Sequence, residues 1–266
     1  MLECVVNISE GRDRRLVGRV VGDGVDVLDV HTDPDHNRSV LTLIGTTAPR
    51  RVTRTAVETL DIGHHTGEHP RLGVVDVVPF VAIGDSTPDE AREARDSFAR
   101  WAADELSLPV FLYGPERTLP DIRRLAWKSL APDVGPRTPH PTAGAVCVGV
   151  REPLIAYNVD LDSTDMDTAH AIARRVRRPG LRTLAFFVDG RAQVSMNIVD
   201  TVGVTVADAY DAVAHEAAAA GVTIRKAELV GLLLDRHLRA VDATRWEQLD
   251  LDVTRTVEYR MADQSR

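Results

Sequence analysis

The sequence predicts an α+β chain of two βαββαβ subdomains, with mainly antiparallel sheets facing each other across a substrate crevice. Three observations carry this. Short runs rich in Val, Leu and Ile alternate with capped helical stretches. The same six-element order occurs in each half, although the two halves are not visibly similar in sequence. Asp189-Gly190 separates two strand-like runs in the second half, the strongest short-range hairpin signal in the chain.

The elements follow in order. Runs at 2–8, 25–31, 38–45 and 74–82 predict four strands, with helices at 10–21 and 47–60. A helix over 87–106 opens on the capping box Thr87-Pro88-Asp89-Glu90 and places Ala91, Ala94, Phe98 and Trp101 on one face. A strand at 109–113 follows, and the proline-rich, weakly periodic residues 114–144 read as a connection. Beyond a strand at 145–150, the second set comprises a strand at 154–160, a helix at 164–177 opened by Thr164 with Asp167, and hairpin strands at 183–188 and 191–199. A helix opened by Thr205 with Asp208 and a strand at 223–230 complete it. Subdomains are expected at 1–143 and 144–236, with 237–266 as a tail. A ferredoxin-like unit keeps both helices on one face of its sheet, so the opposite face is the natural place for a ligand.

Composition excludes several classes. The 266 residues carry a net charge of −8, the wrong sign for a general nucleic-acid binder. No run reaches the roughly 18 apolar residues of a membrane span, and MLECVVNISEGRD lacks the pattern of a secretory leader. Two cysteines, Cys4 and Cys147, lie in apolar runs and read as inert buried thiols rather than a disulfide framework. A cytoplasmic protein without nucleic-acid or membrane partners is expected. Lys128 and Lys226 are the only lysines, so nearly all positive charge is guanidinium. That suits bidentate carboxylate recognition, and a GC-rich coding sequence produces the same excess.

The polar chemistry collects in three places. His31-Thr-Asp33-Pro-Asp35-His36-Asn37-Arg38 joins the second and third strands. His64-His65-Thr-Gly-Glu68-His69-Pro-Arg71-Leu-Gly73 forms an unusually long loop before the fourth strand, where about 2–6 residues would suffice. Gly67 and Gly73 in it can supply positive φ. His64, His65, Glu68 and His69 offer metal ligands, but their order is not HExxH and no metal is expected. The third place is Gly135–Gly144, whose glycines and prolines make either a rigid ligand-clasping loop or only a linker. Gly11, Gly22 and Gly24 do not form GxGxxG, which removes a dinucleotide fold.

ECVVNISEGRD, DPDHNRSVLTLIG, HTGEHPRLGVVDVVPFVAI, LPVFLYG, APDVGP, HPTAGAVCVGVR, LIAYNVDL and QVSMNIVD resemble, in order, the signatures of the glutamate formimidoyltransferase family, from residue 2 to about 235. The resemblance implies a stand-alone transferase with no room for a fused cyclodeaminase, and a homodimer. It implies transfer of a formimidoyl group from N-formimidoyl-L-glutamate to N5 of tetrahydrofolate as co-substrate. The histidine of EHPR, His69, is implied as the catalytic acid–base. The implied folate segment is Gly135, Pro136, Arg137, Thr138, Pro139, His140, Pro141, Thr142, Ala143 and Gly144. Arg38, Arg71 and Arg151 match basic positions suited to substrate carboxylates, and Asp33, Asp35 and Glu68 suit a cationic amidinium. His31 stands where some relatives carry an aspartate, a role Asp33 or Asp35 can take over. The segment between Tyr113 and Asp133 departs most from the family pattern and bears on the donor. The alternatives are formyl transfer between 5-formyltetrahydrofolate and glutamate, and a non-catalytic folate binder.

Overall fold

A computed structural model describes residues 1–23 and 26–264. The chain divides into two compact units, Met1–Glu152 and Pro153–Arg266. The first contains β1 (Leu2–Ile8), α1 (Arg14–Val21), β2 (Val27–Asp33), β3 (Arg38–Ile44), α2 (Thr47–Thr59), β4 (Val75–Ala82), α3 (Pro88–Leu106), β5 (Val110–Tyr113), α4 (Leu119–Leu125) and β6 (Val146–Val150). The second contains β7 (Ile155–Leu161), α5 (Met166–Val176), β8 (Leu181–Val188), β9 (Arg191–Ile198), α6 (Val206–Ala219), β10 (Ile224–Val230), α7 (Asp235–Arg239) and α8 (Val257–Gln264).

Both units are ferredoxin-like. The sheets run β2-β3-β1-β4-β6-β5 and β10-β7-β9-β8, so in each the four strands of the βαββαβ motif lie in the same spatial order. All pairings within the motifs are antiparallel. β6 extends the first sheet beside β4, and both β4–β6 and β5–β6 are parallel.

The second-unit boundary therefore differs from the expected 143/144. Residues 145–150 belong to the first sheet because β6 is the strand that joins β5 to β4. Residues 237–266 are not a detached tail as far as they are described, to 264. Leu238, Val241, Leu249 and Leu251 enter the second core, and the buried Tyr157 hydroxyl donates to the Leu249 carbonyl at 2.9 Å. The expected connection 114–144 contains α4, capped by the Thr118 side chain. The second strand begins at Val27; Val25, where the sequence placed its start, lies outside the described residues. The caps at Thr87–Glu90 and Thr205–Asp208 form as capping boxes, whereas Asp165 and not Thr164 caps α5, and Asp13 caps α1. Among the described residues no helix is long and apolar enough to cross a membrane.

Burial assigns the two faces of the first sheet. Cys4, Val6, Ile8, Leu41, Leu43, Val78 and Phe80 share a core with Val20, Val52, Ala56 and Phe98 of the covering helices. On the opposite face, Val77, Phe111, Tyr113 and Cys147 pack under Ile122 of α4, while the β1 and β3 part of that face carries Glu3, Asn7, Arg38 and Thr42 together with Val5 and Val40. Burial raises the pKa of both Cys4 and Cys147, so neither is a ready thiolate.

Candidate active site

One irregularity in the first sheet positions the site. Asn7 pairs with Val77 while Ile8 pairs with Val75, so Asp76 is an extra residue on β4, a β-bulge. Without the bulge, strict alternation would point Asp76 towards the helices together with Val78 and Phe80. With it, the carboxylate meets Arg38 of β3 and Arg123 of α4. Asp76 is 0% exposed. Its Oδ2 lies 2.9 Å from Arg38 and 2.6 Å from Arg123, and its Oδ1 accepts from the Leu72 amide at 2.9 Å. Burial works to raise the pKa of this carboxyl, but the two guanidiniums overcome it and hold the group below the usual carboxylate range.

Arg38 carries the arrangement outward. Its Nε donates to Asn7 Oδ1 at 3.2 Å, and one terminal nitrogen lies 3.1 Å from His69 Nδ1. The same Nδ1 lies 2.8 Å from the Pro70 carbonyl. These neighbours ask opposite things of Nδ1. The carbonyl takes an N–H, which leaves the basic lone pair on Nε2, whereas the guanidinium takes a lone pair and favours the other tautomer. Either way the ring stays neutral, because burial and then the Arg38 charge push its pKa down to about 3 against the pull of the Pro70 carbonyl.

Three loops lock around this group. Asn37 takes φ 48° and accepts from the Gly11 amide at 2.9 Å while donating to the Thr66 carbonyl at 3.0 Å. Arg12 bonds Pro34 O at 2.9 Å and Thr66 Oγ1 at 3.1 Å. Arg71 donates to the carbonyls of Gly67 and His69 and contacts His65 Nδ1, so its guanidinium clasps its own loop. With Nδ1 accepting, His65 donates through Nε2 to the Asn37 carbonyl at 2.8 Å. The glycines serve close approach and not positive φ: a Cβ at Gly67 would sit 2.4 Å from His36 O, and one at Gly73 2.3 Å from Ala145 O.

The remaining sequence candidates sort by distance from this cluster. His31 and Asp33 pair with Val40 and Arg38 across the β2–β3 ladder and so share the Arg38 face. The Asp33 carboxylate accepts the amides of Asp35 and His36, both at 2.8 Å, which shapes the turn. His36 brings its ring centroid to 6.1 Å from that of His69, edge to face. Glu68 is exposed, with its amide 3.5 Å from Asp35 O. His64 is exposed beside Asp61. Among the described residues no three His, Cys, Asp or Glu side chains converge as a metal site.

Residues 140–145 join the His69 loop directly. Val74 N donates to Ala143 O at 3.0 Å, Ala145 N to Leu72 O at 3.0 Å and Ile62 N to Thr142 O at 2.8 Å. The amides of Thr142 and Ala143 turn inward to His140 Nδ1, and Gly144 N bonds His140 O, so they are used within the turn. Arg137 and Thr138 of this segment are exposed. Arg151 stands apart. Its amide bonds Phe80 O, four residues along β4 from Asp76 and on the order of 13 Å at strand rise.

Sequence reasoning missed Asn7, Asp76 and Arg123. Asp76 had a signal, a lone charge inside the apolar strand GVVDVVPF. Arg123 had none without α4.

The pKa of His69 has a measurable consequence. An unfolded histidine titrates near 6.5 and the folded one near 3. Between these values the unfolded chain binds the extra proton, so folding stability rises with pH there. The contribution is complete above about pH 6.5 and is lost as pH falls towards 3. Thermal melts from about pH 4 to 8 are expected to show a steeper acid loss for wild type than for His69→Gln. Parallel curves would mean that His69 is not held neutral by the fold.

The fold and this group define a two-subdomain α+β protein whose first subdomain carries a neutral histidine beside a buried arginine–carboxylate cluster. Residues 1–151 match the family model described as the formiminotransferase domain, N-terminal subdomain, and residues 156–246 that of the formiminotransferase domain. The chain belongs to the formiminotransferase domain family. It is 36% identical to a glutamate formimidoyltransferase of Streptococcus pyogenes over 87% of this chain and 88% of that protein. It is also 36% identical to one of Thermoplasma acidophilum over 90% and 89%. Against the formimidoyltransferase-cyclodeaminase of Sus scrofa it is 31% identical over 88% of this chain and 50% of the larger protein.

Proposed function

We propose that this chain transfers the formimidoyl group of N-formimidoyl-L-glutamate to N5 of tetrahydrofolate, with His69 as general acid–base. The observation that supports it is the neutral His69 imidazole held between Pro70 O and Arg38. Two relatives alike along most of their length are glutamate formimidoyltransferases, and they supply the reaction class. N5 attacks the amidine carbon as a neutral amine and forms a tetrahedral adduct. The imidazole takes the N5 proton and delivers it to the departing α-amino nitrogen of glutamate as the C–N bond breaks. An imidazolium pressed by Arg38 is a strong acid, which favours delivery. A substrate carboxylate docked near Arg38 would offset the Arg38 part of the depression, which is smaller than the part due to burial, and so move the imidazole in the basic direction.

Within this proposal Arg38 is the foremost carboxylate partner because it is the arginine in contact with His69, while also serving Asp76 and Asn7; Arg71 clasps its own loop and Arg151 lies along the sheet. Asp35 and Glu68 face the amidinium, with His31 and Asp33 on the adjoining strand. Residues 135–144 hold the folate, supported by their direct seat on residues 72–74. A cytoplasmic setting, consistent with two buried and unbridged thiols, and a homodimeric state complete the proposal.

The arginines favour a second reading, because positive charge also suits the oxyanion that develops when a neutral formyl group is attacked. Incubation of the pure protein with tetrahydrofolate and formimidoylglutamate is expected to give 5-formimidoyltetrahydrofolate, followed by its absorbance. Turnover only with 5-formyltetrahydrofolate and glutamate would move the assignment to formyl transfer. No product with either pair from folded protein would overturn both.

A further inference from the structure

The chemistry at His69 leaves the polar signatures of β7 and β9 unused. Register aligns them into two rows across the second sheet. One row is Lys226, Asp160, Gln193 and Phe186; the next is Glu228, Asn158, Ser195 and Leu184. Directly opposed residues share a face. Their alternating neighbours Tyr157, Val159, Val194 and Met196 lie in the core with α5 and α6. Both rows therefore stand on the face turned away from the helices.

The centre of this face is buried yet incompletely satisfied. Gln193 is 1% exposed and Asp160 4%. Gln193 Nε2 donates to Asp160 Oδ1 at 2.9 Å, which fixes the amide orientation, since a flipped amide would set two acceptors against each other. The other end of the amide, Oε1, is buried with no hydrogen-bond partner. Asp160 Oδ2 has Lys226 Nζ at 3.4 Å, and Asn158 Nδ2 donates to Glu228 at 3.1 Å. A buried carbonyl lacking a donor is unfavourable, and native structures keep few of them. Beside the carboxylate, Gln193 Oε1 makes a pair of acceptors. The rows then open past half-buried Ser195 to half-buried Phe186 and exposed Leu184, an apolar shelf beside the polar pair.

We infer that Gln193 and Asp160 receive a planar amidine-type N–H edge, with Phe186 and Leu184 lying against the flat of the ligand. This rests on the proposed function for the two sources of such an edge. One is the 2-amino-4-oxopyrimidine ring of a folate, and the other is the formimidoyl group of the donor. Adjacent N–H groups on either supply the donor that Oε1 lacks and a further one for the carboxylate, whose oxygens have spare lone pairs beside Gln193 Nε2 and Lys226.

Calorimetric titration of the full chain with 5-formyltetrahydrofolate, and separately with N-formimidoylglutamate, tests the inference in wild type, Gln193→Leu and Asp160→Asn. Gln193→Leu is expected to weaken one of the two ligands by about tenfold or more, leaving the other within about twofold. Loss of the folate ligand assigns the pterin edge, and loss of the donor assigns the formimidoyl edge. The Gln193→Leu melting temperature combines two opposed effects, loss of the unsatisfied carbonyl and loss of the Nε2 donor to the buried Asp160 Oδ1, so binding decides the outcome: a structural role alone would spare both affinities. If Gln193→Leu does not fold, Gln193→Met carries the same expectation. Both affinities unchanged in folded variants, with wild type turning over, would overturn this inference and leave the proposed function standing. Wild type binding neither ligand would overturn the two together.

Discussion

Replacing His69 by alanine is expected to lower kcat for formimidoyl transfer by about 10²–10⁴-fold, the usual contribution of a positioned acid–base group. Affinity for 5-formyltetrahydrofolate should stay within about tenfold. The asymmetry follows from where the imidazole sits. Its Nδ1 is held by Pro70 O and Arg38, while the segment proposed for folate is tied to residues 62 and 72–74 by backbone bonds that the substitution leaves intact. The reaction also needs a proton moved twice, off N5 and onto the leaving amine, and no thiolate stands in reserve. Cys4 and Cys147 are fully buried, with their pKa values raised by that burial. Steady-state kinetics with both substrates, paired with equilibrium binding, measures the two effects separately. Turnover near wild type in the folded variant would remove His69 from the chemistry, and a collapse of folate affinity with kcat retained would make it a binding residue.

Much of the architecture was legible because local rules and the tertiary fold agree. The Asp189-Gly190 turn, the Thr87 and Thr205 caps and the alternating strands point the same way in sequence and in space. The errors arose where non-local pairing decides. β6 looks like the start of a second subdomain, and only its parallel ladders with β4 and β5 assign it to the first. α4 carried the same kind of signature as the recognised helices, Thr118-Leu-Pro-Asp121, but its seven residues lie within a proline-rich stretch. The 62–73 loop stands out in the sequence by its length and its density of histidine. Its internal roles were not readable: Arg71 resembles a substrate ligand in sequence and is a clasp in space, because Gly67 and His69 turn their carbonyls towards it. A pairing alphabet based on spacing also cannot see a bulge. One extra residue on β4 converts Asp76 from an apparent misfit in an apolar strand into the anion that two arginines share.

That anion gives the largest expected loss of stability. Asp76→Ala is expected to destabilise the protein by about 3–5 kcal/mol, as when one partner of a buried ion pair is removed. The wild-type carboxylate is 0% exposed and serves Arg38, Arg123 and the Leu72 amide together. Alanine leaves two guanidiniums, whose side chains are only 15% and 17% exposed, repelling each other across a void, with the Leu72 donor unpaired. Asp76→Asn separates the contributions. It retains an acceptor for Leu72 and nearly the native volume, so the part of the loss that remains is the charge. Arg123→Met in the Asp76→Ala background relieves the repulsion and should recover part of the loss, a coupling that a double-mutant cycle in urea reads directly. The chemistry feels the change through Arg38 and His69. The Asp76 charge now pulls the His69 pKa upward, so its removal should move the acid limb of kcat/KM to lower pH, while His69→Ala abolishes that limb. If Asp76→Ala unfolds within about 1 kcal/mol of wild type, or if its acid limb stays in place, the buried bridge does not hold the site together and Arg38 is anchored by Asn7 and its own strand alone.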